Sequence, residues 1–392
     1  MPWREKSVMD QREEFVLRSL SEEVPFSILC KEYHIARKTG YKWKKRFLDE
    51  GRPGLSDKSR RPDNCPNTLS EDVIIKIIQI RHHHPTWGAK KIAKIIAGNN
   101  GTDAPSVSSV YRILDKANLL KRKRFHKSKS LNKENLHKLI EPARPNDVWT
   151  IDYKGWWLSE DIKRCNPLTI RDLKTRYNLS ITLTGRQDTP SVKKVMEDVF
   201  KEYGLPKVIR SDNGAPFAAY NSPLGISRLS VMWMALGILP DRIAPGKPYQ
   251  NGSHERMHRD LKQEVQKTNK GSVDYYQNLI DQFRYDYNHI RPHEALGMVT
   301  PATVYSPSPR RFNGYIDEIC YPNGFERRKV DMNGRIKWDN QSILISSSFY
   351  GYHVGLTYED EYTLDVWFSD FPIGKIDLVS SSFYTVKKKQ QV

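Results

Sequence analysis

Apolar residues recur at helical spacing in two separate stretches of the first 120 residues. In each stretch we predict three short helices, which are joined by tight turns. They cover residues 8–19, 25–33 and 37–48 in the first stretch, and begin near 69, 87 and 106 in the second. The last helix of the first stretch is basic and has an aromatic inner face, which is the helix-turn-helix pattern. We therefore expect helix-turn-helix domains at 1–52 and 69–120.

The pattern changes after residue 144. Strands come first and then alternate with helices up to residue 308, which predicts an α/β layer with a mixed sheet. From 309 to 392, short alternating runs separated by Asn-Gly, Gly and Pro turns predict a small β-barrel or sandwich. The Pro- and Gly-rich residues 53–68 and the basic residues 121–144 are expected to be linkers. The predicted fold class is multidomain α+β, ending in a small all-β domain.

The charge of the chain narrows the choice of partner. Its 64 Lys and Arg residues exceed its 46 Asp and Glu residues, which gives a net charge of +18 and favours a polyanion, most commonly DNA or RNA. The helix-turn-helix pattern then favours double-stranded DNA. The alternative is an ordinary helical bundle whose basic face is only solvated. The candidate DNA contacts are Arg37, Lys38, Lys42, Lys45, Arg60, Arg61, Ser106, Ser108, Arg112, Lys121, Arg122, Lys123 and Arg124.

Cysteine spacing and hydropathy indicate the compartment. Cys30, Cys65, Cys165 and Cys320 lie far apart, so the chain has no paired zinc ligands and we expect free thiols in a reducing environment. We find neither an apolar signal segment nor a stretch approaching the roughly 18 apolar residues that a membrane span needs. We expect a cytoplasmic, nucleoid-associated protein of bacterial type, without a membrane partner.

Three acidic residues stand in distinctive local sequences. Asp152 lies near the end of a predicted strand, Asp212 lies where a strand gives way to Asn-Gly, and Glu255 lies at the start of a helix. Carboxylates that meet in a fold form a hard-oxygen site suited to Mg²⁺. In a strongly basic protein, such a site points to phosphodiester chemistry with two metal ions. Arg256, Arg259 and Lys262, on the helix of Glu255, are candidates to hold phosphates.

These sequences resemble the catalytic core of DDE-type transposases and retroviral-type integrases, in particular bacterial insertion-sequence transposases. The matching pieces, all within 148–305, are Trp149-Thr150-Ile151-Asp152, Ser211-Asp212-Asn213-Gly214, Asn251-Gly252-Ser253-His254-Glu255-Arg256, Tyr287-Asn288-His289-Ile290-Arg291-Pro292-His293-Glu294-Ala295-Leu296-Gly297 and Thr300-Pro301. The resemblance implies an RNase H-like fold, two Mg²⁺ or Mn²⁺ ions, and cutting of transposon ends followed by joining of the 3′-hydroxyl to target DNA. It carries the catalytic and metal-binding roles onto Asp152, Asp212 and Glu255. Joining two ends requires at least a dimer on DNA.

Two features depart from a simple match. Glu255 follows Asp212 by 43 positions (255 − 212), and we assign the extra length to a helix within 220–237 beside the site. Retroviral integrases also carry an N-terminal His/Cys zinc module, whose spacing is absent here.

Two alternative functions stay open, and so does the role of Arg291 and His293. His254-Glu255-Arg256-Met257-His258 matches H-E-x-x-H, the zinc metalloprotease helix. An inactive DNA-binding regulator derived from a transposase would share the N-terminal half. Arg291 and His293 either approach the DNA or active site, or have a structural role as a partner of Glu294 or a cap on the preceding helix.

Overall fold

The structure is a computed structural model that describes residues 6–59, 69–100, 104–120, 139–219, 225–244, 248–265 and 271–385. The chain divides into two compact units, Met1–Thr68 and Leu69–Val392. Among the helices in the described ranges, none combines the length and the apolar character that a membrane crossing requires.

The first unit is a three-helix domain. Its helices are α1 (Val8–Leu20), α2 (Phe26–Glu32) and α3 (Arg37–Glu50), and Ser7 and Asp10 form a capping box at the start of α1. At Gly40 a Cβ atom would lie 2.9 Å from Cys30 Sγ, so glycine permits the close packing of α3 on α2. The expected linker from residue 53 needs correction, because Arg52–Leu55 forms a 3₁₀ turn and Leu55 is fully buried in this domain's core.

The second unit opens with another three-helix group. It consists of α4 (Glu71–His83), α5 (Ala89–Asn100) and α6 (Val107–Lys116). Ile77, Trp87, Ile92, Val110 and Leu114 fill its core, and all five are buried. The apolar positions that predicted these helices therefore lie on the sides that face the core.

A six-stranded sheet follows. Its strands are β1 (Val148–Tyr153), β2 (Trp157–Leu158), β3 (Arg164–Asp172), β4 (Asn178–Thr184), β5 (Val208–Ser211) and β6 (Leu239–Arg242). β1 lies between β3 and β5; its pairing is antiparallel with β3 and parallel with β5, which in turn pairs in parallel with β6. β2 and β4 both pair antiparallel with β3. This is the mixed sheet expected from the strand and helix order.

Helices cover this sheet. They are α7 (Thr189–Tyr203), α8 (Arg228–Ala235), α9 (Gly252–Val265), α10 (Val273–Tyr285) and the short α11 (Pro301–Val304). One core, which includes Trp149, Phe200 and Trp233, joins the sheet to α7 and α8, and a second, which includes Met257, Leu261 and Ile280, joins it to α9 and α10. The layer is RNase H-like, as the resemblance implies.

The C-terminal part is an antiparallel β structure. Its strands are β7 (Glu326–Lys329), β8 (Arg335–Trp338), β9 (Gln341–Leu344), β10 (His353–Tyr358), β11 (Thr363–Phe368), β12 (Phe371–Asp377) and β13 (Ser382–Tyr384). Five of them form a sheet in the order β13-β12-β11-β10-β7, and β8 and β9 form a separate pair. The small all-β domain is thus present.

Helix α8 is shared by two cores. Leu229 and Trp233 pack into the α/β core, whereas Val231 and Met234 pack into the core of the C-terminal sheet. The hydroxyl of Ser348 also donates a hydrogen bond to the carbonyl of Ile226, at 2.6 Å. The helix expected in the long interval between Asp212 and Glu255 is therefore real, and it joins the two domains.

The second helical group meets α9 at a cluster of polar and charged side chains. Asp260 forms an ion pair with Arg291, and the Thr86 hydroxyl donates a hydrogen bond to Glu264. Burial and the charge of Arg291 lower the pKa of half-buried Lys91 to about 8, although Asp260, Glu294 and Glu264 act in the opposite direction. The charges of five side chains from three segments therefore meet at this junction.

We predict that Lys91 makes the stability of the second unit depend on alkaline pH. Its folded pKa of about 8 lies below the ordinary 10.5, so between these values the unfolded chain binds more protons and stability rises with pH. The rise is at most about 3 kcal/mol. Thermal unfolding from pH 7.5 to 10.5 should show a smaller rise for Lys91→Met than for wild type. Lys90→Met, at an exposed neighbour, is the control and should behave as wild type; equal slopes in all three proteins would contradict the prediction.

Candidate active site

Asp152 and Asp212 lie at the same edge of the sheet. Asp152 is near the end of β1, and Asp212 directly follows β5. The two strands are parallel neighbours, with Trp149 opposite Ile209. Since parallel strands end at one edge of a sheet, both residues lie at the edge where ligands bind in open α/β sheets.

The turn after β5 holds the carboxylate of Asp212. The backbone N–H of Gly214 donates a hydrogen bond to Asp212 Oδ1 at 3.1 Å, and Asn213 Nδ2 donates to the carbonyl of Ile243 at 2.7 Å. A Cβ atom at position 214 would lie 3.1 Å from Asp212 Oδ2, so a larger residue would crowd the carboxylate. Asn213 thus attaches this turn to the segment after β6, and Gly214 leaves room for the carboxylate of Asp212.

Glu255 lies in the first turn of α9 and its side chain is exposed. Asn251, immediately before this helix, donates from Nδ2 to Asp152 Oδ2 at 3.3 Å. His258, one turn along the helix, has its Nδ1 atom 3.9 Å from the same oxygen. The start of α9 is therefore attached to the side chain of Asp152.

The pKa values show that the three acids interact. Burial, together with the negative charges of Asp212 and Glu255, raises the pKa of Asp152 to about 7. Burial also raises the pKa of Asp212, against the hydrogen bond from Gly214. The fold has brought together residues that lie up to 103 positions apart (255 − 152) in the sequence.

The donor chemistry around Asp152 suits a divalent cation. Burial lowers the pKa of neighbouring His258 to about 3, so this imidazole is neutral and does not balance the carboxylates. A hard cation would relieve the repulsion among the three acids. Within the described ranges, however, no group of three His, Cys, Asp or Glu side chains is already arranged around a common metal position.

The H-E-x-x-H histidines face the protein interior. His254 is fully buried, and the Nε2 atoms of His254 and His258 lie 2.6 and 2.8 Å from the hydroxyl oxygen of Thr169. Glu255 lies on the exposed side of the same helix. The histidine pair therefore contacts a side chain of β3, and it does not line an open cleft as a protease site requires.

The basic candidates lie mostly at the surface. Arg256, Arg259 and Lys262 are exposed along α9, on the helix of Glu255. In the first unit Arg37, Lys38, Lys42 and Lys45 are exposed along α3, and in the second unit Ser108 and Arg112 are exposed on α6. Ser106 is the N-cap of α6, where its hydroxyl accepts a hydrogen bond from the N–H of Ser109, so it has a structural use. Arg60, Arg61, Lys121, Arg122, Lys123 and Arg124 lie outside the described residues.

Arg291 and His293 have structural partners. Both are buried; Arg291 pairs with Asp260, and His293 Nε2 lies 3.2 Å from the carbonyl of Tyr287 at the end of the preceding helical segment. The structural alternative is the one observed, although the acidic partner is Asp260 and not Glu294.

Lys154, which lies two residues after Asp152, was not predicted as a site residue. Its ammonium is 5.3 Å from the centre of the Trp157 ring. Burial, and to a lesser extent the charge of Lys262, lower its pKa to about 8. The Asp-x-Lys spacing at a strand end was a usable signal, because residues two apart on a strand lie on the same face. Asn251 was named in a matching motif but given no role, since an amide gives no charge signal.

Family models match most of the chain in separate pieces. Integrase core domain models match residues 142–248 and 236–301. A helix-turn-helix domain model matches residues 11–62, and a homeodomain-like domain model matches residues 39–114. The matches cover both N-terminal helical groups, the sheet of Asp152 and Asp212, and the helix of Glu255.

Two insertion-element proteins are similar in sequence. The uncharacterized 39.2 kDa protein of IS476 from Xanthomonas euvesicatoria is 26% identical over 253 residues, which are 64% of this chain and 69% of that protein. The uncharacterized 31.7 kDa protein of IS407 from Burkholderia multivorans is 26% identical over 252 residues, 64% of this chain and 86% of that protein. A simian T-cell lymphotropic virus intasome structure, in complex with PP2A regulatory subunit B56 gamma, has a TM-score of 0.38 at 14% identity, over 75% of this chain and 93% of that chain.

The sequence matches confirm the resemblance to insertion-sequence transposases with a retroviral-integrase-like core. They support DNA transposase or integrase activity, and hence a polynucleotidyl transferase.

We predict that His258→Ala reduces metal-dependent DNA joining only modestly. The variant loses a neutral group near Asp152, and the expected loss is about tenfold or less, the lower limit for removing a group that orients a metal ligand. His289→Ala, at an exposed histidine, is the control. DNA joining and casein hydrolysis would be measured side by side. A metal-dependent protease activity that disappears in His258→Ala would support the zinc protease instead.

Proposed function

We propose that the protein is a DDE transposase that binds the terminal inverted repeats of its element, cuts the ends and joins them to target DNA. The observation that carries the proposal is that the parallel strands β1 and β5 and the start of α9 bring Asp212 and Glu255 close enough for their charges to act on Asp152. Oxygen-only donors in a basic protein favour phosphoryl transfer over chemistry at a protein or sugar substrate.

Asp152, Asp212 and Glu255 would hold two Mg²⁺ or Mn²⁺ ions, which supply an activated attacking oxygen and a stabilised leaving oxygen. The chain itself orients these groups. Asn251 fixes one oxygen of Asp152 through its hydrogen bond, and Gly214 fixes one oxygen of Asp212. Water first cleaves the phosphodiester at the transposon end. The freed 3′-hydroxyl then attacks a target phosphodiester and releases another 3′-hydroxyl, so no covalent protein–DNA intermediate is needed.

Positive side chains would position the DNA. Arg256, Arg259 and Lys262 extend from the site along the exposed side of α9 and can follow a phosphate backbone. The exposed basic residues of α3 would recognise the terminal repeat in the major groove. Since two ends are joined, at least two copies act together on DNA. A cytoplasmic, nucleoid-associated location belongs to this proposal.

The test compares acid-to-amide variants in a strand-transfer assay. Wild type, Asp152→Asn and Glu255→Gln are incubated with the element's flanking terminal DNA and Mg²⁺ or Mn²⁺. Both variants should keep DNA binding and lose joining by at least about 10²–10³-fold, the loss typical for one group that stabilises transition-state charge. Asp370→Asn, at an exposed acid of the C-terminal domain, is the matched control and should join DNA as wild type does.

Each other outcome has a distinct meaning. Cleavage retained by Asp152→Asn would remove this residue from the active site. Tight binding of terminal DNA without cutting or joining by wild type would favour the inactive regulator derived from a transposase.

A further inference from the structure

One hydroxyl group connects the strand of Asp152 to the helix of Glu255. Thr169 on β3 lies opposite Asp152 of β1 in the antiparallel register and is almost completely buried. Its Oγ1 atom is 2.9 Å from the backbone carbonyl oxygen of Asp152. The same atom is 2.6 Å from His254 Nε2 and 2.8 Å from His258 Nε2. A single oxygen atom therefore contacts two elements of the candidate site.

Counting protons fixes the direction of these bonds. A hydroxyl carries one proton, and the carbonyl of Asp152 can only accept, so the Thr169 proton goes to that carbonyl. Both imidazoles must then donate Nε2–H to the lone pairs of the hydroxyl oxygen. The geometry therefore places an N–H on Nε2 of each ring.

The two histidines fix the start of α9. They are four residues apart, on the same face of the helix, and Glu255 lies between them on the exposed side. Two contacts to one point restrict both the rotation and the axial shift of this turn. Arg171, also on β3, adds a third attachment by donating from Nη1 to the carbonyl of Ser253 at 2.8 Å.

We propose that Thr169 is a positioning residue that sets Glu255 relative to Asp152 for the metal-dependent reaction. The proposal rests on the transposase function proposed above. Thr169 does not touch the DNA; it acts through its bonds to the backbone of β1 and to the two imidazoles of α9. The H-E-x-x-H sequence thereby acquires a use that involves no zinc.

A neighbouring threonine offers a matched control. Thr150 on β1 is as buried as Thr169, and it lies two residues before Asp152. Its hydroxyl oxygen has no hydrogen-bond partner among the residues that the structure describes. Substitution of valine therefore makes the same chemical change at both positions, but only at Thr169 does it remove bonds to the candidate site.

The experiment uses the full chain with terminal DNA and titrates Mn²⁺ for wild type, Thr169→Val, Thr169→Ser and Thr150→Val. Thr169→Val should bind DNA as wild type does and require about 10–100-fold more Mn²⁺ for half-maximal cleavage, the usual effect of losing a group that orients metal ligands. Thr169→Ser keeps the hydroxyl and should restore the wild-type metal requirement. Thr150→Val should also resemble wild type.

Wild-type metal dependence in Thr169→Val would overturn the proposal. Equal impairment of Thr169→Val and Thr150→Val would overturn it as well, because core packing would then explain both. If thermal unfolding shows that Thr169→Val does not fold, the ¹⁵N shifts of labelled histidines in wild type decide. Nε2–H on both His254 and His258, assigned with His258→Gln, supports the proposal, and Nδ1–H on either ring refutes it.

These measurements separate the two proposals. Failure of wild-type protein to cleave DNA at any Mn²⁺ concentration contradicts the transposase function. The histidine tautomers then still show whether Thr169 links the two elements.

Discussion

The contact of α9 with β3 is the constraint on which the candidate site depends. Arg171 of β3 is fully buried, and its Nε and Nη2 atoms have no hydrogen-bond partner among the described residues. Burying such a cation with incomplete hydrogen bonding is costly. Its remaining bond, to the carbonyl of Ser253, fastens the helix of Glu255 to the sheet that carries Asp152. Buried Arg171 therefore lowers the stability of the fold at the contact that holds the helix of Glu255 on the sheet.

The positive charge of the whole chain contrasts with the negative charge of the candidate site. The chain is strongly basic, which favours a polyanion as partner, yet the candidate site brings three carboxylates together. Two residues beyond Asp152, Lys154 is partly withdrawn from water: burial lowers its pKa to about 8, and the charge of exposed Lys262 on α9 acts in the same direction. Next to Asp152, burial lowers the pKa of His258 to about 3, so this imidazole adds no positive charge there.

The sequence predicted the main elements because their apolar periods are strong. Helices α1, α2 and α3 were predicted nearly to their ends. Strand β6 was not, because Leu-Pro-Asp-Arg has no alternation and its pairing comes from β5. The burial of Leu55 was also missed, since Pro and Gly around it indicate a linker in isolation.

The site was only half predictable for a similar reason. Asp152, Asp212 and Glu255 carry charge and stand beside turn residues, so their local sequences identify them. Asn251 and Thr169 act through hydrogen bonds across 99 and 85 residues of sequence, and nothing in the local pattern announces such a partner. Arg291 and Asp260 form a pair that only the fold brings together.

The shared helix α8 has a consequence for how this protein can be divided. Val231 and Met234 are buried by the C-terminal sheet, while Leu229 and Trp233 are buried by the α/β core. A chain that ended at residue 308 would leave two apolar side chains of α8 facing water, next to the interval that connects Asp212 to Glu255. The α/β part is thus poorly suited to isolation, because shortening the protein at residue 308 exposes an apolar surface on α8, between Asp212 and Glu255 in the sequence. Duplication or fusion of this core in other proteins would require a substitute cover for that one face.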